Sequence, residues 1–412
     1  MNLLFITVAD MRDVDTHGIY SDLMREFLKN GHEVYIASPA ERRNGVPTSV
    51  IEYKESSDWH AHLHILKIKT GNIQKTNFIE KGISTILLEG QLKEKIKKNY
   101  NSIKFDMVLY TTPPITLVTP VAYVKKRDNA YCYLMLKDIF PQNAVDIGIF
   151  SQSGLKGLLY KYFRKKEKKL YEISDTIGCM SKANVDYVKN QNKELSNKSI
   201  EVCPNSVEIK DLSVDVFQRV QIREKYGIPL NKTVFVYGGN LGKPQGIHFL
   251  IECLRNCQNN DAFFLIIGNG TEYAKIDSYI NEDNPKHVKL LSRLSQEDYD
   301  AMIGSCDVGL VFLDYRFTIP NFPSRLLTYM QAKLPVLAVT DSNTDVGKVI
   351  VEGGFGWWCE SNDSDSFQEY VNSICGLDFS YMKELEFKYL QDHYSVKEVY
   401  KIIIRHLIEA DI

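Results

Sequence analysis

A glycine-rich turn lies between a predicted strand and a predicted helix, and its composition suits phosphate binding. The apolar run VFVY at 234–237 predicts a buried strand, and three glycines follow it within 238–242. The next segment, GIHFLIECL at 246–254, has apolar residues at helical spacing. Glycines let a backbone approach a ligand closely, and the N–H groups at a helix start attract anions. With Lys243 inside the turn, the segment indicates a phosphate site, and an ordinary connection without a ligand is the alternative.

Two further polar positions follow predicted strands in the first half of the chain. His17 and Gly18 come after the apolar run that opens the sequence, and Asp138 comes after the apolar run at 130–136. Ligands of parallel α/β sheets bind at the carboxyl ends of the strands, so we expect these residues at a ligand-facing edge. A purely structural role for Asp138, as a helix cap or as a partner of Lys137, is the alternative.

Metal chemistry has little support in the sequence. His60, His62 and His64 alternate as on one face of a strand, but their apolar neighbours favour a plain strand over a metal site. The triplets at 13–15 and 363–365 match a DxD pattern by letter, yet both fall in predicted loops without the preceding strand that a cation–diphosphate site needs. We therefore predict no metal and no other cofactor.

Both halves of the chain alternate short apolar runs with helical patterns, which predicts parallel α/β sheets. We expect a first domain at 1–207 and a second at 208–387, with a helix in about 388–412 that packs back on the first. The length of 412 residues and a hydrophobic content of 44% suffice for two such cores. The stretch 41–62 is polar and irregular, which predicts a loop.

Composition narrows the class of protein. A formal net charge of −2 gives no sign of a nucleic-acid partner. The eight cysteines show no CxxC pair, and most lie in apolar segments, which indicates reduced core residues. We see no signal peptide and no apolar run of about 18 residues, the length that a spanning helix needs. These features favour a cytoplasmic protein that is soluble or peripheral to a membrane.

Residues 155–171 predict a basic amphipathic helix. Leucine, tyrosine and phenylalanine recur at helical spacing, and lysine and arginine lie between them. Such a helix can rest on anionic lipid headgroups, where each basic residue contributes about 1 kcal/mol of attraction. A solvated surface helix is the alternative.

Seven segments, taken in order, give the chain a resemblance to a known family. They are GHEVYIASP (31–39), DIFPQNAVDIG (138–148), SDTIGCMS (174–181), CPNSVEI (203–209), GGNLGKPQG (238–246), IIGNGTE (266–272) and FPSRLLTYMQAKLPVLAV (322–339). The sequence resembles the family 4 retaining glycosyltransferases of the GT-B fold, most closely the bacterial branch that builds capsule or O-antigen repeat units. The resemblance covers essentially the whole chain. It implies two doubly wound, Rossmann-like domains that face each other across a cleft.

The resemblance also implies substrates and site residues. The second domain would hold a UDP-sugar, and the first a polyprenyl-diphosphate-linked saccharide at the inner face of the cytoplasmic membrane, with 155–171 against the lipid. The positions assigned to the donor are Gly239, Asn240, Gly242, Lys243, Gly268, Gly270, Ser324, Arg325, Thr328 and Glu352. Lys243 and Arg325 would act in catalysis by stabilising charge on the leaving diphosphate. Asp138 would orient or deprotonate the acceptor, with His17 and Gly18 beside it.

The sequence departs from the family at two sets of positions. The usual glutamate pair falls on Pro320 and Thr328, which leaves the ribose and sugar contacts open, and Glu352 is one of the nearest acidic substitutes. The usual arginine and lysine fall on Asn240 and Gln245, where we expect nearby Lys243 to compensate. These departures keep two alternatives open, namely a nucleotide-sugar epimerase on the same fold and a non-catalytic, glycosyltransferase-like partner protein.

Overall fold

The computed structural model describes residues 1–53, 58–73 and 78–409. The chain divides into two compact units. Unit 1 consists of Met1–Glu208 and Ser395–Ile412, and unit 2 consists of Ile209–Tyr394. In the described part of the chain, no helix combines the length and the apolar character that crossing a membrane requires.

The two units contain fourteen described strands, which belong to two sheets. They are β1 (Asn2–Ile6), β2 (Glu33–Glu41), β3 (Ser49–Glu52), β4 (Leu63–Thr70), β5 (Met107–Thr112), β6 (Tyr131–Leu136), β7 (Thr176–Cys179), β8 (Ser199–Val202), β9 (Thr233–Asn240), β10 (Ala262–Asn269), β11 (Val288–Leu291), β12 (Val308–Phe312), β13 (Val336–Thr340) and β14 (Gly356–Glu360).

Helices connect most of the strands. They are α1 (Ile19–Lys29), α2 (Phe78–Asn99), α3 (Val118–Asp128), α4 (Gln142–Asp146), α5 (Gly154–Ile173), α6 (Lys182–Gln191), α7 (Val216–Lys225), α8 (Ile247–Asn256), α9 (Tyr273–Asp283), α10 (Gln296–Gly304), α11 (Arg325–Gln331), α12 (Val346–Glu352), α13 (Ser364–Ile374), α14 (Ser380–His393) and α15 (Val396–Glu409).

Unit 1 is built on an eight-stranded sheet in the order β3-β4-β2-β1-β5-β6-β7-β8. All neighbours pair in parallel except β3, which runs antiparallel to β4. The helix α15 returns to this unit and packs on α1, where the rings of Phe27 and Tyr400 lie 4.9 Å apart. Its buried residues recur at helical spacing, at Val399, Ile403 and Leu407.

Unit 2 is built on a parallel six-stranded sheet in the order β11-β10-β9-β12-β13-β14. The strand order reverses at β9, because β10 lies on one side of it and β12 on the other. Phe235 and Val236 of β9 pair with Val308 and Gly309 of β12, and the two strands separate beyond that point. This is the topological switch point at which doubly wound sheets bind ligands.

A helix that the sequence did not predict lies in the segment 208–230. Asp215 and Gln218 form a reciprocal capping box at the start of α7. The side chains of Val216 and Phe217 are exposed, so the helix has little of the apolar periodicity by which helices are recognised.

The segment 388–412 is divided between the units. The helix α14 ends at His393 and belongs to unit 2, where the rings of Tyr389 and Phe355 lie 5.3 Å apart. The return to unit 1 begins at Ser395, which forms a bridge with Val207. The last three residues of the predicted segment lie outside the described residues.

The histidine row is not the strand face that the sequence predicted. His60 and His62 lie in a 3₁₀ turn, and β4 begins after them. His62 and His64 both bind the carboxylate of Glu33, at 2.6 and 3.1 Å. The described residues contain no group of three or more His, Cys, Asp and Glu side chains that could hold a metal ion. Within the predicted loop at 41–62, β3 forms instead, and residues 54–57 fall outside the described ranges.

Candidate active site

Tyr329 holds the switch point of unit 2 open. Its hydroxyl accepts a hydrogen bond from the N–H of Gly238 on β9, at 2.9 Å, and donates one to the carbonyl of Leu310 on β12, at 3.1 Å. The phenol therefore replaces direct pairing between the two strands. Its ring packs so closely on β12 that a Cβ atom on Gly309 would lie 2.5 Å from it. A crevice at the carboxyl edge of the sheet follows from this wedge.

Close backbone approach explains the glycines at this edge. A Cβ atom on Gly268 would overlap the carbonyl oxygen of Gly239, and one on Gly270 would overlap the carbonyl of Leu241. Gly239 also has φ of +129°, a conformation that other residues rarely adopt. Gly268 and Gly270 are thus required by the packing of β10 against the segment of β9, Gly239 is favoured by its φ, and none of the three places a side chain of its own at this edge.

Gln245 closes the turn that follows β9. Its Oε1 accepts hydrogen bonds from Asn240 Nδ2 at 2.9 Å and from the N–H of Gly242 at 3.1 Å. A 3₁₀ turn at Lys243–Gln245 then separates the glycines from α8. The N–H of Gly242 is therefore already hydrogen-bonded, whereas the phosphate site predicted at this turn would use unpaired N–H groups. The side chain of Lys243 is exposed and forms no hydrogen bond or ion pair with the residues that the structure describes.

Arg325 brings a cation from α11 to the glycine edge. Its guanidinium lies over the ring of Tyr237, 4.3 Å from the centroid, and it would lie 3.5 Å from a Cβ atom on Gly239. Burial works to lower the pKa of Arg325, but the phenols of Tyr237 and Tyr329 raise it, so the group stays charged. Its Nη1 atom is buried and has no hydrogen-bond partner among the described residues. An unpaired buried donor costs about 1–3 kcal/mol, which marks this atom as a candidate ligand contact.

The corresponding edge of unit 1 holds a satisfied acidic network. His17 Nδ1 lies 2.7 Å from Asp22, which also accepts hydrogen bonds from the N–H groups of Gly18 and Glu208. Burial works to raise the pKa of Asp22, but the hydrogen bonds from His17, Glu208 and Gly18 hold it below its ordinary value. Arg25 Nη2 completes the set at 2.5 Å. His17 and Gly18 are therefore fixed in place before α1.

Asp138 follows β6 at the same edge. Asn143 Nδ2 donates a hydrogen bond to Asp138 Oδ2 at 2.6 Å. Burial raises the pKa of Asp138 to about 6, although the hydrogen bonds from Asn143 and from the N–H of Ile139 work to lower it. Lys137 instead donates to the carbonyl of Pro204, at 3.3 Å. Because only β5 separates β1 from β6, the strand ends that lead to His17 and Asp138 lie about 10 Å apart.

Comparison with known proteins supports an assignment. Residues 218–383, all within unit 2, match the family model described as "Glycosyl transferases group 1". The chain is 26% identical over 303 residues to the probable glycosyltransferase WbjE of Pseudomonas aeruginosa, covering 73% of this chain and 74% of that protein. The protein is a glycosyltransferase. It is also 23% identical over 181 residues to the putative colanic acid biosynthesis glycosyltransferase WcaI of Escherichia coli, with 40% of this chain and 43% of that protein covered.

The solved structures extend the likeness to the whole fold. The structure of HepE from Anabaena in complex with UDP matches the glycosyltransferase with a TM-score of 0.69 at 14% identity, covering 99% of this chain and 100% of that chain. At this identity the likeness concerns the fold. The glycosyltransferase has the GT-B fold, as predicted.

The structure does not bring all predicted donor positions of the glycosyltransferase together. Ser324 is exposed and Thr328 partly buried, at the start of α11 and one turn later. Glu352 ends α12, which begins after the carboxyl end of β13 and runs back toward the amino end of β14. It therefore lies at the opposite edge of the sheet from Gly239, where it pairs with Lys348 at 3.7 Å.

Sequence reasoning missed the aromatic residues around Arg325. Tyr237, Tyr299 and Tyr329 surround its guanidinium, and a Cβ atom on Gly238 would overlap the hydroxyl of Tyr299. Burial raises the pKa of Tyr299 to about 12, so its hydroxyl stays protonated at neutral pH. A tyrosine inside an apolar run gives no local signal of such a role, because its position in sequence also suits a core residue.

Proposed function

We propose that this glycosyltransferase moves a hexose or N-acetylhexosamine from a UDP-sugar, with retention of configuration, to a polyprenyl-diphosphate-linked saccharide in surface polysaccharide synthesis. The observation that carries the proposal is the unpaired Nη1 of Arg325 beside Gly239, at the switch point of unit 2. A bound diphosphate would supply the hydrogen-bond acceptor that Nη1 lacks among the described residues. The UDP complex of HepE and the name of WcaI support the choice of donor and pathway.

In the proposed reaction, negative charge develops on the diphosphate as the glycosidic bond breaks. Arg325, held against Tyr237, stabilises that charge from a fixed position, so little reorganisation is needed in the transition state. Lys243 is exposed and unpaired within the described residues, so its ammonium group is available to the same phosphates. Two such cations make a bound metal unnecessary in this proposal.

The acceptor would bind at the carboxyl edge of unit 1. With a pKa of about 6, Asp138 is mostly ionised at neutral pH and can accept the proton of an attacking hydroxyl. Asn143 keeps the carboxylate oriented through its hydrogen bond. His17 and Gly18 border the acceptor from the end of β1.

A lipid-linked acceptor requires access to a membrane. The helix α5 covers the predicted basic segment 155–171, and we propose that it contacts the anionic inner face of the cytoplasmic membrane. The protein would then be cytoplasmic and peripheral to that membrane.

Calorimetric titration with UDP and GDP tests the donor site. We expect wild-type protein to bind UDP, and Arg325→Gln and Lys243→Ala to bind it more weakly, because each loses a charge-assisted contact with the diphosphate. Arg255→Gln is the matched control, since Arg255 lies on α8 and is paired with Asp283 at 2.7 Å. Equal affinity in all four proteins would remove Arg325 and Lys243 from the site.

Acceptor dependence then separates transfer from the alternatives. A transferase releases UDP in proportion to added lipid-linked acceptor, and the anomeric configuration of the product, read by NMR, reports retention. Conversion of a UDP-sugar without any acceptor would favour an epimerase. UDP binding without turnover against a panel of acceptors would favour a non-catalytic protein.

A further inference from the structure

Two helices of unit 1 expose large apolar side chains to solvent. They are between 39% and 64% exposed, and they are Ile83, Ile86 and Leu87 on α2 and Leu158, Leu159 and Tyr162 on α5. The sequence predicted the apolar residues of α5 but gave no sign of the three on α2. The side chain of Leu155, another apolar residue of the predicted helix, lies outside the described residues. We call these six side chains the apolar surface.

The two helices lie on one face of the sheet. The helix α3 packs on both α2 and α5, and Lys166 of α5 pairs with Glu89 of α2 at 2.5 Å. The apolar residues occupy the N-terminal half of each helix. Because α2 follows β4 and α5 follows β6, both of these halves lie toward the carboxyl edge of the sheet.

The apolar surface is linked to the candidate acceptor site. Phe163 of α5 packs against Phe140, with ring centroids 5.2 Å apart, and Phe140 is two residues from Asp138. The ring of Phe150 lies 5.7 Å from Phe140 and stacks on Phe163 at 5.9 Å. The segment that carries Asp138 is therefore held against the helix that carries half of the apolar surface.

Lysines accompany the apolar surface along α5. Lys156, Lys161, Lys165 and Lys169 are exposed and form no ion pair with the described residues. Two further lysines of this helix are already paired, Lys166 with Glu89 and Lys168 with Glu194 at 2.7 Å. Since the whole chain has a formal net charge of −2, this concentration of unpaired positive charge is local.

We propose that α2 and α5 together form a docking surface that inserts into an anionic lipid bilayer, with Ile83, Ile86 and Leu87 as a second contact beside α5. The proposal rests on the proposed function, in that a lipid-linked acceptor gives the contact its purpose. The lysines attract anionic headgroups, and the apolar residues enter the boundary between headgroups and acyl chains. A second copy of the chain fits this surface poorly, because a two-fold contact would place one lysine-rich surface against another.

The docking surface also sets an orientation. Its apolar residues lie toward the edge of the sheet that carries Asp138, so insertion brings that edge next to the headgroups. A saccharide attached to a membrane lipid lies in the same layer. Adsorption through the lysines of α5 alone would not require α2 to face the bilayer. It would also weaken as salt screens the charges.

Vesicle binding of matched variants tests the role of α2. The test variant is Ile83→Ser/Ile86→Ser/Leu87→Ser, and the control is Val216→Ser/Phe217→Ser on α7 of unit 2, whose side chains are 80% and 70% exposed. Co-sedimentation uses vesicles of phosphatidylcholine alone and of equal parts phosphatidylcholine and phosphatidylglycerol. We expect wild type and control to bind the anionic vesicles, and the test variant to bind them at least about tenfold more weakly, because apolar insertion is lost.

Salt separates the two contributions to binding. The charges are tested in the variant Lys156→Gln/Lys161→Gln/Lys165→Gln/Lys169→Gln. Each of its substitutions should weaken binding to anionic vesicles about fivefold at low salt, and the difference from wild type should shrink at high salt. The loss in the α2 variant should persist at high salt, because salt does not screen burial of apolar groups.

Three results would overturn the proposal. They are wild-type binding by the α2 variant, failure of wild type to bind anionic vesicles, and a wild-type dimer, seen by light scattering, that the α2 variant dissociates. UDP titration of the same proteins distinguishes failure of the docking surface from failure of the proposed donor site. Lost vesicle binding with unchanged UDP affinity supports the docking surface, whereas a wild type that binds vesicles but not UDP would contradict the donor proposal alone.

Discussion

The carboxyl edges of the two sheets share a topology and differ in chemistry. In unit 1 the edge carries acids, of which Asp22 has its donors supplied by the protein and Asp138 has a raised pKa. In unit 2 the carboxyl end of β9 offers glycine backbone beside the cation of Arg325, whose buried Nη1 lacks a partner among the described residues, and the acids Asp314 and Asp341 follow only at β12 and β13. A carboxyl group with a pKa near neutrality can remove a proton from a neutral acceptor, and a cation with an unpaired donor can bind a diphosphate. The fold provides the same kind of edge twice, and the side chains decide what each can bind.

Asp138→Asn should give the largest effect, and it tests the acid that the comparison assigns to unit 1. The substitution keeps the shape of the side chain and removes the carboxylate that would take the acceptor proton. We expect acceptor-dependent UDP release to fall by about 10²–10⁴-fold. The affinity for UDP, measured by calorimetry, should not change, because the donor contacts are proposed in unit 2. Near-normal turnover would reduce Asp138 to a structural group.

Gly268→Ala should give an intermediate effect and tests the backbone packing of unit 2. The new methyl group would overlap the carbonyl oxygen of Gly239, so β9 and β10 must move apart. We expect the free energy of unfolding, from urea titration, to fall by about 1–3 kcal/mol, together with the affinity for UDP.

The same substitution on a helix of unit 1 provides the control. Gly90 lies on α2, where a Cβ atom would meet nothing within 4 Å. Gly90→Ala should therefore raise the free energy of unfolding by about 1 kcal/mol, because alanine is the better helix former. If both variants changed stability in the same direction, close approach of β9 and β10 would not be the reason for Gly268.

Asn143→Leu should give the smallest effect and sharpens the role of Asp138. The hydrogen bond from Asn143 lowers the pKa of Asp138. Leucine is similar in size to asparagine but has no donor, so the substitution removes that hydrogen bond. The pKa should then rise above about 6, so the acid limb of kcat/KM should move to higher pH. Gln142→Leu, whose Nε2 bonds Asp146, should leave the limb in place. An unshifted limb in Asn143→Leu would show that another group titrates there.

Local patterns in the sequence predicted the elements near the proposed donor site. The apolar run at 234–237 lies within β9, and the helical pattern at 246–254 corresponds to α8. A contact as local as these is the cap of α10, where Ser295 accepts a hydrogen bond from the N–H of Asp298 at 3.1 Å. These features depend on neighbours in sequence, and the predicted fold class follows from their alternation.

Contacts between distant residues could not be predicted in this way. Nothing near Arg325 in sequence shows that its guanidinium lies over Tyr237, or that the hydroxyl of Tyr329 accepts a hydrogen bond from the N–H of Gly238. Glu352 was chosen as an acid close in sequence to the donor signature, but the course of α12 carries it to the other edge of the sheet. The roles assigned to Asp138, Lys243 and the remaining site residues are predictions for the experiments above.

The return of α15 to unit 1 has a consequence for the order in which the chain can fold during synthesis. Unit 2 is continuous from Ile209 to Tyr394, so all of it has been made before α15 is translated. Until then, Phe27 on α1 lacks the ring of Tyr400 that covers it in the folded protein. A ribosome that stopped after Tyr394 would release a finished unit 2 attached to a unit 1 with part of its core open to water. Premature termination between unit 2 and α15 would thus damage unit 1, although every strand of its sheet had already been made.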